Sequence, residues 1–277
     1  MKLYKIRLFT ILLLLSMLLT ACSSGGKTNA ESDKKTIKIG ATAGPYSDQV
    51  TEGIKPFLEE KGYRVEIVEF NDYIQPNISL DEGDIDANVF QNEIYLKDFA
   101  ETRGLDITGL IKVPTAPIGI YSNEHKSIDE IEDGATIATS NEPVNQARAL
   151  AMLEQLGWVK LKEGTDPTKA SEKDISEYIK KVVIQPIEPA QIPRALDSVD
   201  YSFINGNFAI SSGLKITDAI VLEETPDYYL NLVAVRGDDK DSQFAKDLIE
   251  AYKSKEFKKL NEESEKYQGY VWPEWLK

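Results

Sequence analysis

Apolar and polar residues alternate in short blocks along the chain, and the spacing of the apolar positions changes from one block to the next. Residues 36–42 alternate like a half-buried strand and are followed by a break at Gly44-Pro45. Over residues 47–61 the apolar positions recur at helical spacing, and residues 64–70 alternate again. This order predicts a β-α-β unit, which favours a parallel sheet.

The same order of elements continues through the rest of the chain and repeats from about residue 136. We predict further strands over residues 85–90, 136–140, 181–185 and 201–205, and further helices over residues 77–82, 93–103, 145–156, 191–198, 240–253 and 256–267. Two such sets of elements predict two α/β lobes.

Two longer extended runs separate these sets. Residues 111–121 contain Pro114 and Pro117, each of which lacks the backbone donor of a central strand, so we expect this run to cross between the lobes. Residues 228–236 would carry the chain back. The predicted lobes are residues 36–112 plus 232–277 (lobe 1) and residues 113–231 (lobe 2). The cleft between them would be lined by the carboxyl ends of strands, where open α/β sheets bind ligands.

The first residues have the composition of a targeting segment. Basic residues precede an apolar stretch, residues 8–19, that is too short to span a bilayer as a helix. The stretch ends in Leu19-Thr20-Ala21-Cys22, the form in which a bacterial lipoprotein is processed. We predict that residues 1–21 are a signal peptide and that Cys22 becomes a lipidated N-terminus, whose two acyl chains suffice for stable anchoring. The alternatives are a signal anchor and a buried free thiol.

Residues 22–35 are rich in Ser, Gly, Lys, Asn and Asp and have no apolar periodicity. Such a segment cannot bury enough apolar surface to fold by itself. We predict a flexible tether that holds the folded part at the outer face of the cell membrane.

The chain is strongly acidic. It has 46 acidic and 32 basic residues and a formal net charge of −14, and loss of the three basic residues of the predicted signal peptide leaves −17. A surface of this charge repels nucleic-acid phosphates and has little attraction for an anionic membrane face. We therefore expect no nucleic-acid partner.

The chain lacks the residues of most catalytic and metal sites. Its only cysteine is assigned to the lipid, so no intramolecular disulfide is available. Its only histidine, His125, lies in a polar turn where we expect it to be exposed, and one histidine cannot build a usual zinc or manganese site. There is no phosphate-binding glycine loop and no Gly-x-Ser-x-Gly elbow. We predict that the protein is not an enzyme and has no metal or cofactor.

Four segments carry a more specific signal through their order and spacing. They are Phe70-Asn-Asp-Tyr-Ile-Gln-Pro-Asn77, Gly83-Asp-Ile-Asp-Ala-Asn-Val-Phe-Gln91, Asn141-Glu-Pro-Val-Asn-Gln-Ala-Arg-Ala-Leu150 and Ile204-Asn205. Together they resemble the NlpA/MetQ family of ABC-transporter substrate-binding lipoproteins, the methionine-binding group. The resemblance implies a periplasmic-binding-protein-like fold of type II, with two crossings between its lobes.

The resemblance also implies residues for the polar end of an amino-acid ligand. Arg148 stands at the family's arginine position, and a planar guanidinium can bind a carboxylate through two hydrogen bonds. Asn145 and Asn205 stand at the family's polar positions, where amide groups can accept from an ammonium or donate to a carboxylate. The alternatives are a solvated surface arginine, a helix-capping Asn145 and a turn at Asn205.

The apolar wall for the ligand side chain is implied at Tyr73, Phe90 and Tyr95, although Phe90 is nearly as well explained as core. Two positions depart from the family pattern. Asn92 stands where the family usually has histidine, and Ala116 stands where it often has an aromatic residue or serine. We include Asn92 among the ligand-binding residues and expect these two changes to alter the ligand preference.

Taken with the predicted anchor, the resemblance implies an extracytoplasmic, membrane-anchored receptor of an ABC importer. It would bind an amino acid in the cleft, with L-methionine as the first candidate, and deliver it to the permease and its ATPase as a monomer. The alternatives are another amino acid or a short peptide as ligand or, in a different class, a surface adhesin.

Overall fold

Two five-stranded sheets organise residues 35–277, the part that the computed structural model describes. The predicted signal peptide, Cys22 and all but the last residue of the predicted tether lie outside the described residues. Among the described helices, none combines the length and the apolar character needed to cross a membrane.

The strands match the predicted alternating blocks closely. They are β1 (Lys35–Thr42), β2 (Tyr63–Phe70), β3 (Ala87–Asn92), β4 (Ile107–Lys112), β5 (Gly119–Tyr121), β6 (Thr136–Ser140), β7 (Val159–Leu161), β8 (Ile175–Tyr178), β9 (Val183–Ile187), β10 (Tyr201–Ile204), β11 (Val221–Leu222) and β12 (Asn231–Arg236). The strands predicted from residues 85 and 181 begin two residues later than expected. Strand β11 and the small β7-β8 sheet have no counterpart in the prediction, and β4 begins four residues before the extended run expected from residue 111.

Each sheet combines parallel and antiparallel pairs. Sheet 1 has the order β2-β1-β3-β12-β4, in which β1 pairs in parallel with β2 and β3, and β12 runs antiparallel between β3 and β4. Sheet 2 has the order β11-β5-β10-β6-β9, in which β6 pairs in parallel with β9 and β10. The parallel β-α-β arrangement predicted from the first block is therefore confirmed.

The helices cover the faces of these sheets. They are α1 (Pro45–Gln49), α2 (Lys55–Glu60), α3 (Gln75–Asp81), α4 (Glu93–Arg103), α5 (Pro143–Gln155), α6 (Gly206–Ser211), α7 (Gln243–Tyr252) and α8 (Lys255–Glu263). A π-helical segment, Val50–Ile54, joins α1 to α2, so the helix expected over residues 47–61 is continuous but wider in its middle.

Short 3₁₀ turns complete the described part of the chain. They are Ile128–Glu130, Glu172–Asp174, Pro189–Ala195, Ile216–Asp218, Asp227–Tyr229, Gly237–Asp239, Glu265–Tyr267 and Glu274–Leu276. The helix predicted over residues 191–198 is one of these, because Pro193 lies within it and cannot supply a helical backbone donor.

Two extended segments cross between the sheets. The chain leaves sheet 1 after β4, enters sheet 2 at β5, and returns from β11 to β12. The two crossings lie side by side, since the Val113 amide donates to the Asn231 carbonyl at 2.7 Å and the Asn231 amide donates to Thr115 Oγ1 at 2.7 Å. Two α/β lobes with two crossings are thus confirmed; the lobe boundaries remain predictions.

Space is tight where the first crossing passes α6. A Cβ atom on Gly206 would lie 2.5 Å from the Ala116 Cβ atom and 2.7 Å from the Pro117 carbonyl oxygen. Neither contact is possible without movement of the backbone, so glycine at this position lets lobe 2 approach the crossing closely.

A buried amide network holds α3 against β3. Asn77 and Gln91 exchange hydrogen bonds of 2.7 and 2.6 Å, and Asn88 Nδ2 donates to Asn77 Oδ1 at 2.9 Å and to the Pro76 carbonyl at 3.1 Å. All three side chains are almost completely buried. The network explains why three of the motif residues are amides, because each one satisfies the others out of contact with water.

We expect Asn77→Ala to lower the free energy of unfolding by about 2 kcal/mol, because it leaves the buried Gln91 Oε1 without its hydrogen-bond donor and removes one acceptor each from Gln91 Nε2 and Asn88 Nδ2. Denaturant titration of the full chain in detergent measures this change. Asn71→Ala, at an exposed position six residues before Asn77 in the same motif, is the matched control and should change stability by less than about 0.5 kcal/mol. Equal effects of the two substitutions would contradict the network's role.

Candidate functional site

A cavity lies between the two sheets, at the carboxyl ends of strands from both. About 360 Å³ of space within it is free of protein atoms, and part of this space is open to solvent. All seven residues predicted for the ligand line it: Tyr73, Phe90, Asn92, Tyr95, Asn145, Arg148 and Asn205. The structure therefore brings together side chains that are up to 132 positions apart in the sequence.

Further lining residues had no predicted role in binding. They are Tyr46, Gln91, Thr115, Gly206, Asn207 and Asn231; Ala116, which we expect to alter the ligand preference, lines the cavity as well. One sequence signal could have found Asn231, because it is a polar residue directly before the apolar run of residues 232–235. In the structure it begins β12 and lies opposite Asn92 of β3. Asn207 lies two residues after Asn205 in the turn that starts α6, where both side chains can reach the same space.

Arg148 and Glu223 form a buried ion pair beside the cavity. Arg148 Nε donates to Glu223 Oε1 at 2.8 Å and Arg148 Nη2 donates to Glu223 Oε2 at 2.5 Å. Both side chains are 5% exposed. Arg148 is therefore not a solvated surface residue. Glu223 was missed by the sequence analysis because the two residues are 75 positions apart and no local pattern links them.

Electrostatics keep both members of this pair charged. Burial by itself would raise the pKa of Glu223, but the Arg148 charge and its hydrogen bonds outweigh burial and hold that pKa below its ordinary value. Burial would likewise lower the pKa of Arg148, but the Glu223 charge raises it above its ordinary value. The ring of Tyr229 also lies under the guanidinium, with Cζ 4.9 Å from its centroid.

Asn145 connects the arginine to the second predicted asparagine. Its Oδ1 accepts from Arg148 Nη1 at 3.1 Å and from Asn205 Nδ2 at 2.8 Å. Glu142, rather than Asn145, caps α5: its carboxylate accepts from the backbone amides of Val144 at 3.0 Å and Asn145 at 2.9 Å. The capping alternative for Asn145 is therefore wrong, and its side chain is directed into the polar end of the cavity.

Asn92 has a structural task at this site as well. Its Oδ1 accepts from the Tyr95 backbone amide at 2.9 Å and so caps α4. Because this bond uses the side-chain oxygen, the Asn92 Nδ2 group is the part of the side chain that could donate a hydrogen bond to a ligand. Asparagine is a good N-cap residue, which the sequence analysis did not consider.

Three aromatic rings form the apolar wall. Tyr73 lies 5.9 Å from Phe90 and 6.2 Å from Tyr95, and Phe90 lies 5.9 Å from Tyr95, measured between ring centroids. Tyr95 Oη donates to the Tyr73 carbonyl at 2.6 Å, which fixes the loop that carries Tyr73. The wall is thus preformed and held by hydrogen bonds.

Tyr73 also links the lobes across the cavity. Its hydroxyl donates to Asn207 Oδ1 at 2.6 Å, and its ring lies 5.0 Å from that of Phe208. The Asn207 amide is oriented by this bond, and its buried Nδ2 has no hydrogen-bond partner among the described residues. A buried donor without an acceptor is costly unless another group supplies one.

His125 lies apart from this cavity, on the loop that follows β5. It is half-buried and stacks on Tyr201 at 4.9 Å, so the expectation of an exposed side chain is wrong. Its Nε2 lies 3.3 Å from Asp200 Oδ1 and its Nδ1 lies 3.5 Å from Glu130 Oε2. In the described part of the chain, His125, Asp200 and Glu124 are the one group whose atoms come close enough to share a metal ion.

Comparisons with known proteins place the chain among lipoproteins. The sequence pattern of the family described as NlpA lipoprotein matches residues 37–275. A protein of Salmonella typhi named D-methionine-binding lipoprotein MetQ is 39% identical over 230 residues, which cover 82% of this chain and 84% of that one. Outer membrane lipoprotein 3 of Mannheimia haemolytica is 38% identical over 250 residues, which cover 90% and 92% of the two chains.

Solved structures give the same result. A nutrient binding protein from Burkholderia cenocepacia, solved bound to methionine, superposes with a TM-score of 0.80. It is 41% identical, and the match covers 85% of this chain and 99% of that one.

We expect the stability of the fold to fall at high pH through Tyr46, which is buried beside the cavity and whose hydroxyl accepts from the Ala116 amide at 3.3 Å. Burial raises the pKa of Tyr46 to about 12, against smaller opposing effects of the Ala116 hydrogen bond and the Arg148 charge. A raised folded-state pKa means that the contribution is complete below the ordinary tyrosine value of 10.0 and is lost as the pH rises through about 12.

The expected loss is about 2–3 kcal/mol between these two pH values. Denaturant titrations from pH 8 to 12 measure it in the unsubstituted protein and in Tyr46→Phe, which lacks the ionisable group and should lose less stability over this range. Parallel pH curves for the two proteins would contradict the assignment to Tyr46.

Proposed function

Because the chain belongs to the NlpA lipoprotein family, we propose that it is the substrate-binding protein of an ABC importer and that its ligand is methionine. The observation that carries this proposal is the cavity between the lobes, which has a buried guanidinium and asparagine side chains at one end and an aromatic wall at the other. An amino acid also has two chemically different parts: a carboxylate and an ammonium group on its α-carbon, and a side chain.

The polar end is suited to an α-carboxylate. A guanidinium has five N–H donors, and the described residues accept three of those of Arg148. The two that remain are on Nη1 and Nη2, the pair of nitrogens that can hold a carboxylate through two parallel bonds. The unpartnered Nδ2 of Asn207 is a further donor, and the oxygen of Asn205 is a candidate acceptor for the ligand ammonium.

The aromatic end is suited to a thioether. Sulfur makes favourable contacts with aromatic ring edges, and the rings of Tyr73, Phe90 and Tyr95 surround the apolar side of the cavity. Several relatives are named for D-methionine, and the Burkholderia structure contains methionine, so both enantiomers are candidates. Asn92 and Ala116 are smaller than histidine or an aromatic residue, so they make this end of the cavity larger and more polar, and we expect them to set the preference among amino acids.

Ligand binding would close the lobes. The bond from Tyr73 to Asn207 and the contact of Tyr73 with Phe208 already join the two lobes at the edge of the cavity. A ligand that contacts Arg148 in lobe 2 and the aromatic wall in lobe 1 would favour the closed form over an open one. The closed form would then present both lobes to a membrane permease powered by a cytoplasmic ATPase.

The protein itself would catalyse no reaction. The relative from Salmonella typhi is named as a binding lipoprotein, and the cavity holds no nucleophile paired with a base. We propose that it acts as a monomer at the extracytoplasmic face of the cell membrane, held there by lipid on Cys22.

We expect Arg148→Ala to abolish methionine binding, because it removes the carboxylate donors and leaves Glu223 buried without a counter-charge. Calorimetry uses the full chain in detergent, unfolded and refolded to release retained ligand, and L-methionine, D-methionine and the other amino acids as titrants. At 100 times the dissociation constant, a bound ligand should stabilise the unsubstituted protein by about 2.7 kcal/mol.

Arg64→Ala is the matched control, since Arg64 is exposed on β2 and lies outside the cavity. Binding of another amino acid or a short peptide instead of methionine would move the proposal to that ligand within the same family. A folded protein that binds none of these compounds would contradict the proposal and favour the adhesin alternative.

We expect Cys22→Ala to release the protein from the membrane, because the substitution removes the thiol that would carry the acyl chains. Fractionation of cells that express each form measures this through the share of protein in the membrane pellet. A Ser23→Ala control should stay with the membrane. Equal retention of the Cys22→Ala protein would show that residues 1–21 remain as a signal anchor.

A further inference from the structure

We propose that Glu223 positions Arg148 and balances its charge, so that the cavity accepts amino acids carrying both a carboxylate and an ammonium group and excludes ligands with a net negative charge. This inference rests on the proposed function, because it names the class of ligand for the same cavity. It assigns to Glu223 a role in specificity without direct contact with the ligand.

The geometry explains the positioning. Glu223 immediately follows β11, at the start of the return crossing, and its carboxylate covers the Nε and Nη2 edge of the guanidinium. Thr225 Oγ1 donates to Glu223 Oε2 at 2.8 Å and the Ile118 amide is 3.5 Å from the same oxygen, so both crossings hold the carboxylate in place. With that edge occupied, the free donors of Arg148 are on its outer end, where a second carboxylate can bind.

The charges of Arg148 and Glu223 then sum to zero before a ligand enters. Among its lining residues, Arg148 is the one side chain that is charged at neutral pH, because the tyrosines that line it are protonated there. Glu223 supplies the opposite charge. Glu142 lies outside the cavity lining. Its carboxylate accepts from the Val144 and Asn145 backbone amides at the positive end of α5 and from Asn145 Nδ2 at 2.6 Å, and these donors offset its charge.

A ligand with no net charge preserves this balance. An amino acid adds one negative and one positive charge, whereas an acid without the amino group would leave an excess negative charge in a buried site. Were Arg148 unpaired, the acid would restore neutrality and bind well. Glu223 thus makes the arginine a receptor for zwitterions rather than a general receptor for carboxylates.

The experiment compares two probes in calorimetry on the full chain in detergent: methionine, and 4-(methylsulfanyl)butanoic acid, which is methionine without its amino group. The unsubstituted protein should bind methionine at least about 100-fold more tightly. In Glu223→Gln this ratio should fall at least about tenfold, because the acid gains affinity relative to methionine.

Two further variants separate charge from shape. Glu223→Asp keeps the charge and shortens the side chain, so it should weaken binding of both probes and keep their ratio. Glu224→Gln removes the same charge from the adjacent, exposed residue and should change neither affinity. Circular dichroism and thermal unfolding report whether each variant is folded.

The outcomes distinguish this inference from the proposed function. Failure of the unsubstituted protein to bind methionine or any amino acid would overturn the proposed function itself. Methionine binding with a ratio that is unchanged in folded Glu223→Gln would overturn only the inference. If Glu223→Gln does not fold, the inference is still overturned by equal affinities of the unsubstituted protein for the two probes, or by a lower ratio in Glu223→Asp.

Discussion

A buried guanidinium costs several kcal/mol of solvation free energy unless a carboxylate and other acceptors surround it, and this requirement organises the cleft. Arg148 is carried by α5, Glu223 by the return crossing and Asn145 by the turn of α5 below the arginine. The need to pair the buried charge of Arg148 with Glu223 therefore constrains the position at which the return crossing leaves sheet 2. The aromatic wall in lobe 1 then needs only to face this polar end for the cavity to have two chemically different sides.

Much of the fold could be predicted from the sequence because its elements are short and locally encoded. Alternation identified β1 and β2, helical spacing identified α4 to the residue, and the prolines at 114 and 117 identified the first crossing. The errors have local causes too. Pro193 limits its segment to a 3₁₀ turn, and the β7-β8 pair is too short to give a clear alternating pattern.

The site was predictable in its composition but not in its connections. The seven residues taken from the family resemblance all line one cavity, yet Glu223, the partner of Arg148, and Asn207, the partner of Tyr73, come from distant segments. Glu223 and Asn207 have no local signature, because their importance depends on which side chain lies across the cleft. Asn92 caps α4 through its side-chain oxygen and also lines the cavity. The sequence gives the residue type at position 92, but it does not distinguish a helix-capping asparagine from one that lines a cavity.

The place of β12 in sheet 1 has a consequence for the order in which the chain can fold. Strands β3 and β4 are complete by residue 112, but the strand that pairs with both of them begins at residue 231. Sheet 2 and its core lie entirely within the intervening segment, so they can form from contiguous sequence as the chain emerges during synthesis or export. The position between β3 and β4 in sheet 1 can be filled only after the residues of lobe 2 have been synthesised. Pairing of β12 with β3 and β4 joins residues that are far apart in the sequence, and it is therefore a slow step. This last strand also carries Asn231 into the cavity, so the lining of the cavity is complete only when the folding of lobe 1 is complete.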